Sequence, residues 1–349
     1  MGKQSESGRE NNFDLIRLFA ASQVLLFHTL HHLGIRENHP FFELFSWFPG
    51  VQIFFTVSGY LIYSAYDRNP DIKRYAINRL LRIYPALWVC LLITVLCMLG
   101  TGAISSEQLF SSTLLKWIVT QISFMQFWTP DILRGWGVGT PNGSLWTIPV
   151  ELQFYIFLPI LLLVFRKIRA DYKMFLLFIF SLIMNAVLRS IDKEGHTLAG
   201  KLAAVTLLPY LYSFLGGALL YYHRNRIRPL IEGKGMFWMS LFLAYCFFTG
   251  NSPSYFPELI QIPANLILTI LTISLAFTRP QLGSILRGND ISYGLYIYHM
   301  PVINTILSLG FKGNYSVFFL CIGITALMAF FSWSFIERHA LKLKNRLLY

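Results

Sequence analysis

Apolar residues in this chain come in long blocks separated by short polar and charged connections. Ten blocks stand out, at about 13–33, 48–66, 83–100, 145–165, 174–191, 202–222, 236–249, 259–277, 291–310 and 315–336. A helix needs about 20 mostly apolar residues to cross the hydrocarbon core, so the pattern predicts an all-α polytopic membrane protein with about ten transmembrane helices, the seventh short. A polar tail, 1–12, precedes a membrane domain, 13–337, and a basic tail, 338–349, follows it. The longest connection, Thr101 to Ser144, holds a stretch from Leu109 to Trp128 that is aromatic and apolar but broken by Ser, Lys, Gln and Thr. That mixture suits a surface or re-entrant element better than a span, since irregular backbone at membrane depth must be covered by protein or line a cavity.

Composition agrees. Of 349 residues, 55% are hydrophobic and 13% charged, about half the charge of a soluble domain. The net charge of +12 would suggest nucleic acid in a soluble protein. Here it follows the positive-inside rule and implies no nucleic-acid partner. With the N-terminus inside, 21 of the 29 Lys and Arg fall in cytoplasmic segments, which predicts that both termini are cytoplasmic. The four cysteines, Cys90, Cys97, Cys246 and Cys321, lie in apolar runs without metal or disulfide spacing and read as packing residues. The start of the chain lacks the features of a secretory signal.

Within this apolar chain, ionisable residues at membrane depth are the candidates for chemistry, because each costs at least about 2.5 kcal/mol to place in lipid. Arg17 and His28 lie eleven residues apart in the first block, FDLIRLFAASQVLLFHTLHHL, hence on one helix face about 16 Å apart. His31 and His32 extend the cluster. Arg79 and Arg82, in KRYAINRLLRIYP, lie one turn apart just before the third block, where two guanidinium forks can grip a phosphate or pyrophosphate. Glu151, in NGSLWTIPVELQFYIF, is a carboxylate buried near the outer end of the fourth block, behind a proline that leaves carbonyls free. A cationic partner such as a histidine, or water, is needed to keep it ionised. Ser58 and Gly59 in FFTVSGYLI suit close helix approach or substrate contact equally, and His299 in SYGLYIYHMP suits catalysis or an inter-helix hydrogen bond. No metal site is expected.

Taken in order, the Arg17-to-His28 spacing, FFTVSGYLI, Arg79 and Arg82 running into Ile83-Tyr84-Pro85, SLWTIPVEL, FLGGALL (Phe214 to Leu220) and SYGLYIYH resemble the acyltransferase-3 family of integral membrane acyltransferases. The resemblance spans Asn12 to Arg338. It implies a multi-pass protein of the bacterial inner membrane that transfers an acyl group, usually acetyl from acetyl-CoA, to a hydroxyl of a surface polysaccharide or lipid-linked glycan. Acetyl-CoA is then a substrate rather than a bound cofactor. By resemblance His28 is the leading catalytic residue and Arg17 a supporting one, while Arg79 and Arg82 contact coenzyme A. Glu151 joins the catalytic set as a group that orients the imidazole, favours its charged form or holds acceptor hydroxyls. Outer-loop aromatics such as Trp117, Trp128 and Trp136 suit sugar stacking and interfacial anchoring equally. A competing reading is a proton-coupled transporter or lipid-linked sugar exporter, although no inverted repeat is legible.

Overall fold

The computed structural model describes residues 11–35, 40–164, 169–191, 197–254, 257–286 and 288–348. Among these residues the fold is entirely helical. The first helices are α1 (Phe13–Leu33), α2 (Pro40–Ser46), α3 (Gly50–Arg68), α4 (Ile72–Gly100) and α5 (Ser112–Ile122). There follow α6 (Thr147–Val164), α7 (Ala170–Ile191), α8 (Leu198–Ala204), α9 (Leu211–Tyr222) and α10 (Arg224–Ile231). The chain closes with α11 (Gly235–Thr249), α12 (Ile262–Ala276), α13 (Ser292–Ser308), α14 (Tyr315–Ser332) and α15 (Arg338–Leu348). Every apolar block contains a helix, and among the described residues six helices are long and apolar enough to cross a membrane.

Three elements differ from the pattern read off the sequence. The block 202–222 is not one helix: α8 ends at Ala204, and the chain turns through Leu208–Tyr210 before α9 begins. Pro209 lies in that turn, where a residue without an N–H is tolerated. The helix of the third block, α4, begins at Ile72, not near 83, because Asp71 caps it by accepting from the Arg74 amide at 3.0 Å. Arg79 and Arg82 therefore sit inside α4 on one helical face. The basic end read as a tail is α15 over Arg338–Leu348, joined to α14 through a π turn at Trp333–Glu337, with Ala340 buried.

Small residues set the closest helix crossings, as expected where dispersion rather than water drives packing. A Cβ on Gly59 of α3 would collide with the Phe214 carbonyl of α9, and one on Gly217 of α9 would collide with the Thr56 carbonyl of α3. Nearby, Phe154 stacks on Phe214 with ring centroids 4.4 Å apart. Gly294 of α13 meets Ala329 of α14 in the same way. The long connection from Thr101 to Ser144 folds back onto α4 with α5, which at 11 residues is too short to span. Its Trp117 and the loop residue Trp136 are each only 2% exposed and pack with Leu91 and Met98. They anchor the loop and are not free to stack on a sugar.

Candidate active site

Helix α13 lies beside α1, and two polar contacts tie the pair together in the same order along both chains. At one end Arg17 Nη1 lies 3.1 Å from Asp290 Oδ2, two residues before α13 begins. Further along, His28 Nδ1 lies 2.9 Å from His299 Nε2. The two helices thus run parallel, and the arginine and histidine that share a face of α1 have different partners on one neighbour. His299 is fully buried, and its Nδ1 lies 3.2 Å from the Leu295 carbonyl. His32 is close to His28, at 5.7 Å between ring centroids.

The arginines of α4 have distinct environments. Arg82 pairs with Asp290, so that this carboxylate bridges Arg82 and Arg17, and its Nη1 lies 3.7 Å from Glu337 Oε2. Glu337 is placed there by the π turn, a break in helix register often found at functional sites. It accepts from Ser332 Oγ at 2.9 Å. Asp290 in turn accepts from the amide and hydroxyl of Ser292. Arg79 makes no salt bridge with the described carboxylates. Its guanidinium lies over the rings of Tyr75 and Tyr155, at 5.9 and 5.5 Å, and its buried Nε has no hydrogen-bond partner. A charged fork held by aromatic faces but lacking an acidic partner is suited to an incoming anion.

Both arginines line a cavity of about 1590 Å³, together with Arg17, Ser58, Glu151, Tyr155 and Asp290. Seven cationic side chains face it against three carboxylates. Glu151 accepts a hydrogen bond from the Tyr155 hydroxyl one turn on. The structure therefore brings Glu151 to the arginine side of the site, where its hydrogen bond is to a tyrosine and not to an imidazole. Ser58 and Gly59, read as one small pair, divide: Ser58 lines the cavity while Gly59 packs against α9.

His28 and His299 do not line this cavity. Its lining includes Thr147 and Tyr296, and the Tyr296 ring centroid lies 6.0 Å from that of His299. Tyr296 is fixed by hydrogen bonds of its hydroxyl with Thr147 Oγ1 and the Ser144 carbonyl, both 2.8 Å. The position of α13 is fixed by Pro301, which lacks an N–H and leaves the Ile297 carbonyl without its helical donor. Asn142 Nδ2 supplies the missing donor at 2.8 Å. Asn304 holds the preceding loop, accepting from Val138 N and donating to the carbonyls of Thr140 and Pro141, each at 2.9 Å. Sequence reasoning missed Asp290, Glu337, Asn142 and Tyr296. The acidic residue just before SYGLYIYH and the one in the FIERH run closing the last block were the available signals.

A multi-pass helical protein with a basic cavity beside a histidine pair, one member half-buried and the other fully buried, is the class that fold and site define. Residues 10–336 match the acyltransferase domain model of the acyltransferase-3 family, and the chain belongs to that family. It is 33% identical over 366 residues to "Nodulation protein 10" of Rhizobium leguminosarum bv. viciae, covering 100% of this chain and 98% of that protein. It is 25% identical over 339 residues to the "O-acetyl transferase" of Shigella phage Sf6, covering 95% and 96% of the two chains. "Peptidoglycan O-acetyltransferase OatA" of Listeria monocytogenes is 25% identical over 285 residues, 74% of this chain but 46% of its own length. No solved structure matches. The protein is an O-acyltransferase of the membrane.

Proposed function

We propose that the enzyme transfers an acetyl group from cytoplasmic acetyl-CoA to a hydroxyl of a surface polysaccharide or lipid-linked glycan, in a ten-span bundle of the bacterial inner membrane with both termini cytoplasmic. The observation that carries this reading is the basic cavity, one of whose lining residues, Tyr296, packs against His299 of the histidine pair. A donor bearing several phosphates is drawn to a cleft with an excess of cations, where low-dielectric walls focus the field. Arg79 is the principal phosphate contact, because its fork is not already spent on a carboxylate. Arg82 is a secondary contact whose main task is to hold Asp290 and Glu337. The phosphates stay among the arginines while the flexible arm of coenzyme A carries the thioester inward past Ser58 toward Tyr296.

The chemistry then needs a proton acceptor. His28 takes the proton of the acceptor hydroxyl as its oxygen attacks the thioester carbonyl. A C–O bond forms, the C–S bond breaks, and the proton passes to the departing thiolate, giving the ester and free coenzyme A. Arg17, held by Asp290, contributes positive charge to the cavity, and Glu151 with Tyr155 lines the path of the donor.

Binding of acetyl-CoA to the purified protein in nanodiscs, measured by calorimetry, tests the donor site. A lost charge-assisted phosphate contact is worth about 1.5–3 kcal/mol, so Arg79→Ala should weaken binding by more than about tenfold. Arg79→Lys should recover only part, because the planar fork is lost. Arg82→Ala instead leaves the buried Glu337 carboxylate without its cation and Asp290 with Arg17 alone, a cost of about 3–5 kcal/mol, and should reduce folded yield. Unchanged acetyl-CoA affinity in Arg79→Ala would refute this donor site.

A further inference from the structure

We infer that His299 is a positioning residue that locks His28 in the tautomer carrying its proton on Nδ1, so that Nε2 is the nitrogen that takes the acceptor's proton. The inference rests on His28 being the base of the proposed reaction and adds which atom acts and what sets it.

Two hydrogen bonds fix the assignment. The Leu295 carbonyl can only accept, so the ring nitrogen 3.2 Å from it, His299 Nδ1, must carry a hydrogen. A neutral imidazole has one N–H, which makes His299 Nε2 a lone-pair acceptor. Its partner at 2.9 Å, His28 Nδ1, is therefore the donor. The single N–H of neutral His28 is thus used, and Nε2 is left with a free lone pair. No hydrogen bond within the described residues occupies that atom. A cationic His299 would escape this logic, but it would place a charge on a fully buried ring that pairs with no carboxylate among the described residues.

The frame that holds the relay is rigid. The carbonyl left open by Pro301 is filled by Asn142, and the Tyr296 hydroxyl is pinned by Ser144 and Thr147 at the start of α6. An imidazole in this place does for His28 what an orienting acceptor does in other base-assisted transfers: it selects tautomer and ring angle. It differs from a carboxylate in bringing no negative charge. The proton taken up by Nε2 is therefore not held by an ion pair and passes readily to the leaving thiolate.

Nitrogen-15 spectra of the intact protein in nanodiscs, with labelled histidine rings and His28 assigned by its loss in His28→Gln, read the tautomer directly. The expected result is a protonated Nδ1 and an unprotonated Nε2 on His28. His299→Leu should shift His28 toward the opposite tautomer. It should also lower the rate of acetyl transfer from saturating labelled acetyl-CoA in membrane vesicles by roughly tenfold or more, the scale of a lost acid–base alignment. Donor affinity should stay within about twofold, since His299 does not line the donor cavity. His299→Gln, which keeps an acceptor oxygen, should restore part of the rate and of the Nδ1–H form. A wild-type His28 carrying its proton on Nε2 would overturn the inference, as would an unchanged tautomer and rate in His299→Leu. Wild-type transfer in His28→Gln would instead overturn His28 as base and leave the tautomer assignment standing.

Discussion

At the scale of single residues, a histidine, an arginine and a carboxylate that look alike on paper have different tasks once their neighbours are known. Arg79 and Arg82 form one motif in the sequence, one turn apart on α4. One points its fork at two acidic side chains and the other at two tyrosine rings. His28, His31 and His32 are likewise adjacent, yet only His28 is paired across to α13. This leads to a sharp expectation for the cluster. His28→Gln keeps size and hydrogen-bonding capacity but cannot take a proton near neutral pH, and general-base catalysis contributes about 10²–10⁴ in rate. Transfer should therefore fall by at least about a hundredfold in His28→Gln at normal expression. His31→Ala and His32→Ala should remain largely active. Equal losses in all three, measured as acetyl ester formed per unit of protein, would mean that the cluster acts as a polar patch and not through one base.

The pairs that matter could not be read from the chain because they span long separations. Arg17 meets Asp290, Arg82 meets Glu337, and His28 meets His299. Periodicity places Arg17 and His28 on one face of a helix, but it says nothing about which helix that face meets. Glu151 is the exception, since its hydrogen bond comes from Tyr155 one turn on in its own helix, a neighbour that periodicity does place on the same face.

Elements were more legible than partners. Long apolar blocks specify helices in a membrane because every backbone group must be satisfied within the segment. The exceptions have local causes: an Asp71 cap that starts α4 a full three turns early, a Pro209 turn that divides one block, and a π turn that delivers Glu337 to the site. Helix crossings were half legible, since SG and GG mark places where backbones can approach but not which helices do. Packing at α3 and α9 gives an expectation for stability. Gly59→Ala puts a methyl group into the Phe214 carbonyl, a clash of backbone with backbone that no rotamer relieves. Overpacking of this kind costs about 1–3 kcal/mol or more. Gly59→Ala should lower the detergent melting temperature and yield of folded protein, whereas Gly323→Ala, with open space where its Cβ would lie, should leave both unchanged. An unaltered melting temperature in Gly59→Ala would show that the two helices are not in close backbone contact.

For the whole molecule, the arrangement makes sense if donor and acceptor come from opposite sides. Of the seven cations of the cavity, six are among the 21 of 29 basic residues that the positive-inside rule assigns to the cytoplasmic segments, and the seventh is Arg17 on α1. Arg17 and His28 then measure depth: about 16 Å of helix separates the donor's anchoring end from the reacting end, so the protein need move only a small acyl group outward. A carrier of whole sugars would need a path through the bundle that admits them. Among the residues that line the cavity is Tyr296, held through its hydroxyl by Ser144 and Thr147.

Sidedness and chemistry can be read together in membrane vesicles of known orientation, made from cells that express the protein and supplied with radiolabelled acetyl-CoA. The account predicts that inside-out vesicles, which present the arginine side to the medium, incorporate label into base-labile esters of the glycan fraction. Sealed right-side-out vesicles and inside-out vesicles carrying His28→Gln should not. Label incorporated equally by both orientations, or undiminished incorporation by the His28→Gln vesicles, would contradict a cytoplasmic donor site working through this histidine.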